Sequence, residues 1–206
     1  MSGFFSWQSP SGRLVVDAVL DTLAEIGYDQ LTGLEVKTRA GAAGPALGDS
    51  PDLDFLVIAA LEHVVLFRAP EPTGQLRQDL RTLLEPWRTA PGRDERAVAA
   101  VLGPAMVRPP LRVAVHEALD RPLTHHIAAM VARSAAHEQI PTPIVQTLCW
   151  VLRGLLVDRL RSGPRPQVDI DLLVDYLIAG LERRPAEGPR PWPAIQPATE
   201  PTKASA

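Results

Sequence analysis

Apolar residues recur at helical spacing from the start of the chain. Between Gly12 and Ile26 they fall at Leu14, Ala18, Val19, Leu23 and Ile26, with Asp17, Asp21 and Glu25 on the other side, which predicts a helix with one face on a core. Gly27 is a C-cap candidate, and Thr32 with Glu35 matches a capping box that starts a second helix running to about Ala40. Gly41 supports a turn. Ala42 to Gly48 then offers barely two turns of a third helix, weakened by Gly44 and Pro45. Ser50 or Asp52 caps a fourth helix, expected to run to about Phe67. Beyond the break at APEPTG the pattern predicts helices at about 75–88, 94–106, 110–137, 142–162 and 168–183, with Pro122 kinking or splitting the longest. No run alternates as a strand would and no period repeats, so the fold class is all-α.

Charge changes this picture more than composition does. Residues 1–62 hold Arg13, Lys37 and Arg39 against nine carboxylates, a net of −6, whereas the remainder carries +3. An N-terminal part this acidic repels phosphate unless its cations share one face. From Arg39 to Arg68 there is no cation between the two ends, but three glycines, two prolines and three aspartates. The only cysteine, Cys149, excludes an internal disulfide and a Cys-rich zinc site, and no run approaches the roughly 18 to 20 apolar residues that cross a bilayer. The start MSGFFSWQSP lacks the pattern of a secretory signal, so a cytoplasmic location is expected, and no membrane partner. Residues 185–206, with six prolines and Trp192 as their one large anchor, read as an extended or disordered tail.

The segment GRLVVDAVLDTLAEIGYDQLTGLEVKTRAG, followed by PDLDFLVIAALEHV, resembles the N-terminal region of TetR family transcriptional regulators. The likeness continues weakly in TGQLRQDLRTLLEPW and returns in VDIDLLVDYLIAGLERR, covering roughly 11–184 with specific motifs only in 11–64. It implies a dimer of nine or ten helices per chain. The expected organisation is an N-terminal arm at 1–10, a degenerate helix-turn-helix at 11–50, a helical ligand-binding and dimerisation domain at 51–184, and the tail.

The third helix departs from that pattern. Typical members place there a small polar cap, a lysine and two aromatics, with a lysine at the start of the next helix, to grip phosphates and fix the reading helix in the major groove. The matching positions here are Ala43, Gly44, Gly48, Asp49 and Ser50, and Leu53 stands for the last lysine. The remaining DNA-binding candidates are Thr32, Lys37, Thr38 and Arg39 on the second helix, so specific DNA binding is expected to be lost or atypical.

If the family chamber persists, its apolar wall falls to Leu84, Trp87, Leu102, Met106, Leu119, Ile127, Met130, Leu148 and Leu152, with His116, His126 and Arg153 as polar contacts, which suits a small hydrophobic ligand. The same residues would otherwise be plain core. The helices at 142–162 and 168–183 are apolar around most of their circumference, which points to a homodimer through Val151, Leu155, Asp158, Arg159, Leu173, Leu177 and Gly180. No metal motif, cofactor motif or assembled catalytic set is present in the sequence, and Cys149 beside Trp150 reads as a buried, inert thiol. Three functions stay open: a ligand-binding protein that has lost specific DNA recognition, a ligand-responsive repressor with unusual contacts, and a TetR fold turned enzyme or accessory protein for a hydrophobic small molecule. A heterodimer partner belongs to the first of these.

Overall fold

The computed structural model describes residues 7–66, 71–134, 142–162 and 168–182. Among the described residues there are nine α-helices and no strand: α1 (Pro10–Ile26), α2 (Gly33–Ala40), α3 (Leu53–Leu61), α4 (Leu76–Leu84), α5 (Arg93–Leu102), α6 (Pro109–Val115), α7 (Arg121–Ser134), α8 (Thr142–Ser162) and α9 (Ile170–Glu182). The tail with Trp192, the arm residues Phe4 and Phe5, and His137 lie outside the described residues.

Local chemistry starts the first three helices. Ser9, Thr32 and Asp52 each accept a hydrogen bond from the backbone N–H three residues on, at 3.0, 3.1 and 3.1 Å. The capping box expected at α2 is only half made, because the Glu35 carboxylate turns to Arg39 instead of the Thr32 backbone. Segment three is not an α-helix: Gly41–Leu47 forms a 3-10 helix, entered and left through Gly41 (φ 53°) and Gly48 (φ 66°), positive values that glycine alone adopts without strain. The fourth predicted helix stops at Leu61, short of Phe67.

Helices α1, α5, α7 and α8 contribute to one continuous core, in which Val15, Val19, Val57, Leu80, Val98, Leu111, Ile127 and Leu152 are fully enclosed. Leu14, expected on the inner face of α1, is half exposed, and Val15, Val16 and Leu20 take the buried stripe instead. α1 packs mainly on α5, and ion pairs close that seam: Arg93 Nη1 lies 2.9 Å from Asp17 and 3.5 Å from Asp21, while Arg96 donates to the Ala24 carbonyl. The acidic face of α1 is thus matched to arginines of α5.

The long segment at 110–137 is interrupted but not broken. Between α6 and α7 the residues His116–Asp120 form a π-helical turn, closed by the Arg121 N–H donating to the His116 carbonyl. Pro122 has no N–H to donate to the carbonyl four residues before it, and widening the preceding turn accommodates that gap without a chain reversal.

Candidate functional site

The four DNA-binding candidates share α2 but do not form a free cationic surface. Thr32 is engaged as the N-cap, and the Thr38 hydroxyl donates to the Leu34 carbonyl at 2.8 Å. The Arg39 guanidinium lies between two carboxylates, 2.7 Å from Glu25 and 2.8 Å from Glu35. That contact holds the Glu25 carboxyl below its ordinary range, chiefly through the hydrogen bond and charge of Arg39. Lys37 is half-buried, and its backbone meets the third segment. A Cβ built on Gly44 would sit 2.4 Å from the Lys37 carbonyl oxygen, so the chain crosses α2 too closely for any side chain there.

A second cluster ties the N-terminal helices to those that follow. Tyr28 at the corner after α1 donates its hydroxyl hydrogen to Asp54, and Arg108, just before α6, donates to the same Asp54 oxygen at 2.8 Å while lying 5.2 Å over the Tyr28 ring. Burial, then the hydrogen bond to Asp54, pushes the Tyr28 phenol up to about 12. Beside it, the Trp7 ring packs against Phe55 of α3, with centroids 5.8 Å apart.

Most residues expected to wall a chamber are in the core. Leu84, Trp87, Leu102, Leu119, Ile127, Met130, Leu148 and Leu152 are buried within one cluster of mutually packed side chains. Met106 and His116 are corrections to the inward placement. Met106 is 73% exposed because Pro104 turns the chain into a short 3-10 segment after α5, which rotates the next residues off the helical face. The His116 side chain is 60% exposed at the π-helical turn. His126 is partly buried, and burial lowers its pKa while Asp79 opposes that shift.

His116 nevertheless belongs to a built arrangement. Its Nδ1 is 3.3 Å from Oδ2 of Asp120, one turn on, and Arg153 of α8 places Nε 2.6 Å from Oδ1 of the same carboxylate and Nη2 3.5 Å from Oδ2. Two half-open grooves share this trio. One, of about 450 Å³, is lined by Leu123, Thr124, Val145, Cys149 and Trp150; the other, of about 460 Å³, by Leu102, Met106, Arg112, Val113 and Val157. Each is large enough for a small ligand, by the roughly 300 to 1,000 Å³ typical of such sites. Cys149 forms a hydrogen bond with Thr124, and burial raises its thiol pKa, in keeping with an unreactive thiol. Asp120 escapes sequence reasoning, although the H-x-x-x-D spacing just before Pro122 is the signal that marks it.

Of the residues expected at a dimer interface, Val151 and Asp158 are exposed, as is Gly180, while Leu155, Leu173 and Leu177 are half-buried against the core. Arg159 is a correction. Its side chain is 1% exposed, bonded through Nη2 to Glu95 at 2.9 Å and through Nη1 to the Thr89 carbonyl at 2.8 Å. It also lies over the Trp87 ring. It faces inward because its partners on and before α5 satisfy the guanidinium there.

Among the described residues there is no group of three potential metal ligands, and no helix is long and apolar enough to cross a membrane. No family model, curated protein or solved structure matches the chain.

Proposed function

We propose that the chain is a TetR-like, homodimeric ligand-binding protein of transcriptional-regulator type in which specific DNA reading has been lost. The observation that carries this reading is the fit of Gly44 against α2. The position where the resembled family keeps a phosphate-gripping lysine lies 2.4 Å, measured from a built Cβ, from the Lys37 carbonyl, so it is closed to any side chain. Arg39, the other cation nearby, is already neutralised by Glu25 and Glu35. Affinity for DNA grows with the counterions that cations release, and little remains here to release them. Two apolar grooves of ligand size on the larger body supply the other half of the reading.

Selection of random and genomic DNA by the purified full chain tests it. The expected outcome is no consensus sequence, and no site bound in the range of about 10⁻⁸ to 10⁻¹¹ M of specific readers at physiological salt. A palindromic site whose affinity falls on Lys37→Ala or Arg39→Ala would restore an active repressor.

A further inference from the structure

We infer that the two grooves meeting at His116, Asp120 and Arg153 form one site for a small amphipathic carboxylate, an inference that rests on the ligand-binding reading above. The grooves have three properties in common with such a ligand. First, large apolar side chains stand in water beside them: Trp150 is 77% exposed, Met106 73% and Val113 62%. Exposed apolar groups gathered at a concave surface mark a place where something apolar docks.

Second, the two grooves together carry a surplus of one positive charge, from Arg112 and Arg153 against Asp120 with His116 neutral, in a chain of net charge −3. The titratable and charged groups lining the two grooves are Arg112, His116 and Arg153 against the single carboxylate of Asp120, apart from the Cys149 thiol. Two other grooves among the described residues differ. That between α3 and α6 carries Glu62 and Glu117 and no cation, and that at the start of α9 mixes Arg81 and Arg88 with three carboxylates. An anionic amphiphile is therefore matched here and mismatched in those two grooves.

Third, the geometry suits a carboxylate head. Asp120 engages Arg153 through Nε and Nη2, which fixes the guanidinium plane of a residue that lines both grooves and leaves a second edge, between Nη1 and Nη2, for another acceptor. That edge offers two parallel N–H donors, the fork that pairs with a carboxylate. His116 and Asp120 are the first and last residues of the π-helical turn, and such turns occur often at functional sites. The apolar body of the ligand then lies along Trp150 and Leu123 in one groove or along Met106 and Val113 in the other.

The test uses the full chain and three ten-carbon probes, decanoate, 1-decanol and decyltrimethylammonium, each below its micelle threshold, with binding read by calorimetry and by tryptophan fluorescence. Decanoate should bind saturably and at least tenfold tighter than either of the others. Arg153→Gln combined with Arg112→Gln should remove that preference while decanol binding and the melting temperature stay as in the wild type, and Trp150→Phe should remove the fluorescence response. Decanoate binding no tighter than decanol, or unaffected by the double variant, overturns the proposal; so does absence of saturable binding, whatever covers the grooves. Native mass spectrometry of the purified chain separates this failure from that of the broader reading. A different retained ligand, not displaced by decanoate, would sink the carboxylate site alone, whereas an empty chain that binds no probe would sink both.

Discussion

Arg159 heads the large side chains that the fold takes almost wholly out of water, and its surroundings explain why it is tolerated. Glu95 receives it through two nitrogens, Thr89 through a third, and the same Glu95 caps α5 by accepting from the Gly92 N–H at 2.7 Å. A buried ion pair adds little over an apolar pair, but breaking it strands a charge. Arg159→Met should therefore destabilise the chain by about 3 to 5 kcal/mol in urea denaturation, and adding Glu95→Gln should recover part of the loss, since the amide still accepts from Gly92 and carries no charge. A cost below about 1 kcal/mol for the single change, within the range of exposed pairs, would contradict this account. The spacing of Leu148, Leu152 and Leu156 places Arg159 on the same inner stripe, so its position was readable; its residue type argued the other way, and Glu95, 64 residues distant, gives no local sign.

Among elements, helix existence was legible and helix kind was not. Caps at Thr32 and Asp52 and the breaks at Gly27 and Gly41 are local signals, and the boundaries they predict hold within a few residues for the end of α1, for α2 and for the start of α3. The 3-10 form of Gly41–Leu47 depends on a contact, Gly44 against the Lys37 carbonyl, that no periodicity encodes. The π-helical turn is similar: Pro122 announces an interruption, but whether the chain kinks or widens depends on what packs around it. Likewise the pairing of His116 and Asp120 with Arg153 joins α8 to a turn 33 residues before it, so only half of the candidate site could be assembled from spacing. Close packing at Gly44 makes a direct prediction. Gly44→Ala should lower stability by about 1 to 3 kcal/mol, the range for forcing a carbon into a filled space, while Gly103→Ala, with nothing within 4 Å of its Cβ, should leave it unchanged or raise it. Equal melting temperatures for the two variants would mean that the third segment is not pressed against α2.

At the scale of the whole molecule, the acid surplus of the N-terminal part was legible but its use was not. Asp17 and Asp21 meet Arg93, Glu25 and Glu35 meet Arg39, and Asp54 meets Arg108, so the carboxylates hold the first three helices to one another and to the helices that follow. On α8 and α9, beside the ion pairs Arg153–Asp120, Arg77–Asp175 and Arg81–Asp171, large apolar side chains are left in water. Val151 is 43% exposed, Leu172 52% and Tyr176 71%, and Gly154 and Gly180 on these helices have nothing within 4 Å of a built Cβ. A glycine inside a helix costs about 0.8 to 1 kcal/mol relative to alanine, and neither position uses it for packing within the monomer. Close approach of a second copy explains both glycines and the exposed apolar stripe, which is the basis for proposing a homodimer through these faces. Gly154→Leu separates the two levels. The monomer should gain helix stability from it, whereas the dimer should lose its close contact, so sedimentation equilibrium at micromolar concentration should show a wild-type dimer and a variant shifted to monomer by at least tenfold in dissociation constant. Val151→Arg should act in the same direction through charge. A wild-type monomer, or a Gly154→Leu variant that dimerises as tightly as the parent, would remove α8 from the interface and with it the reason offered for an exposed glycine in the middle of a 21-residue helix.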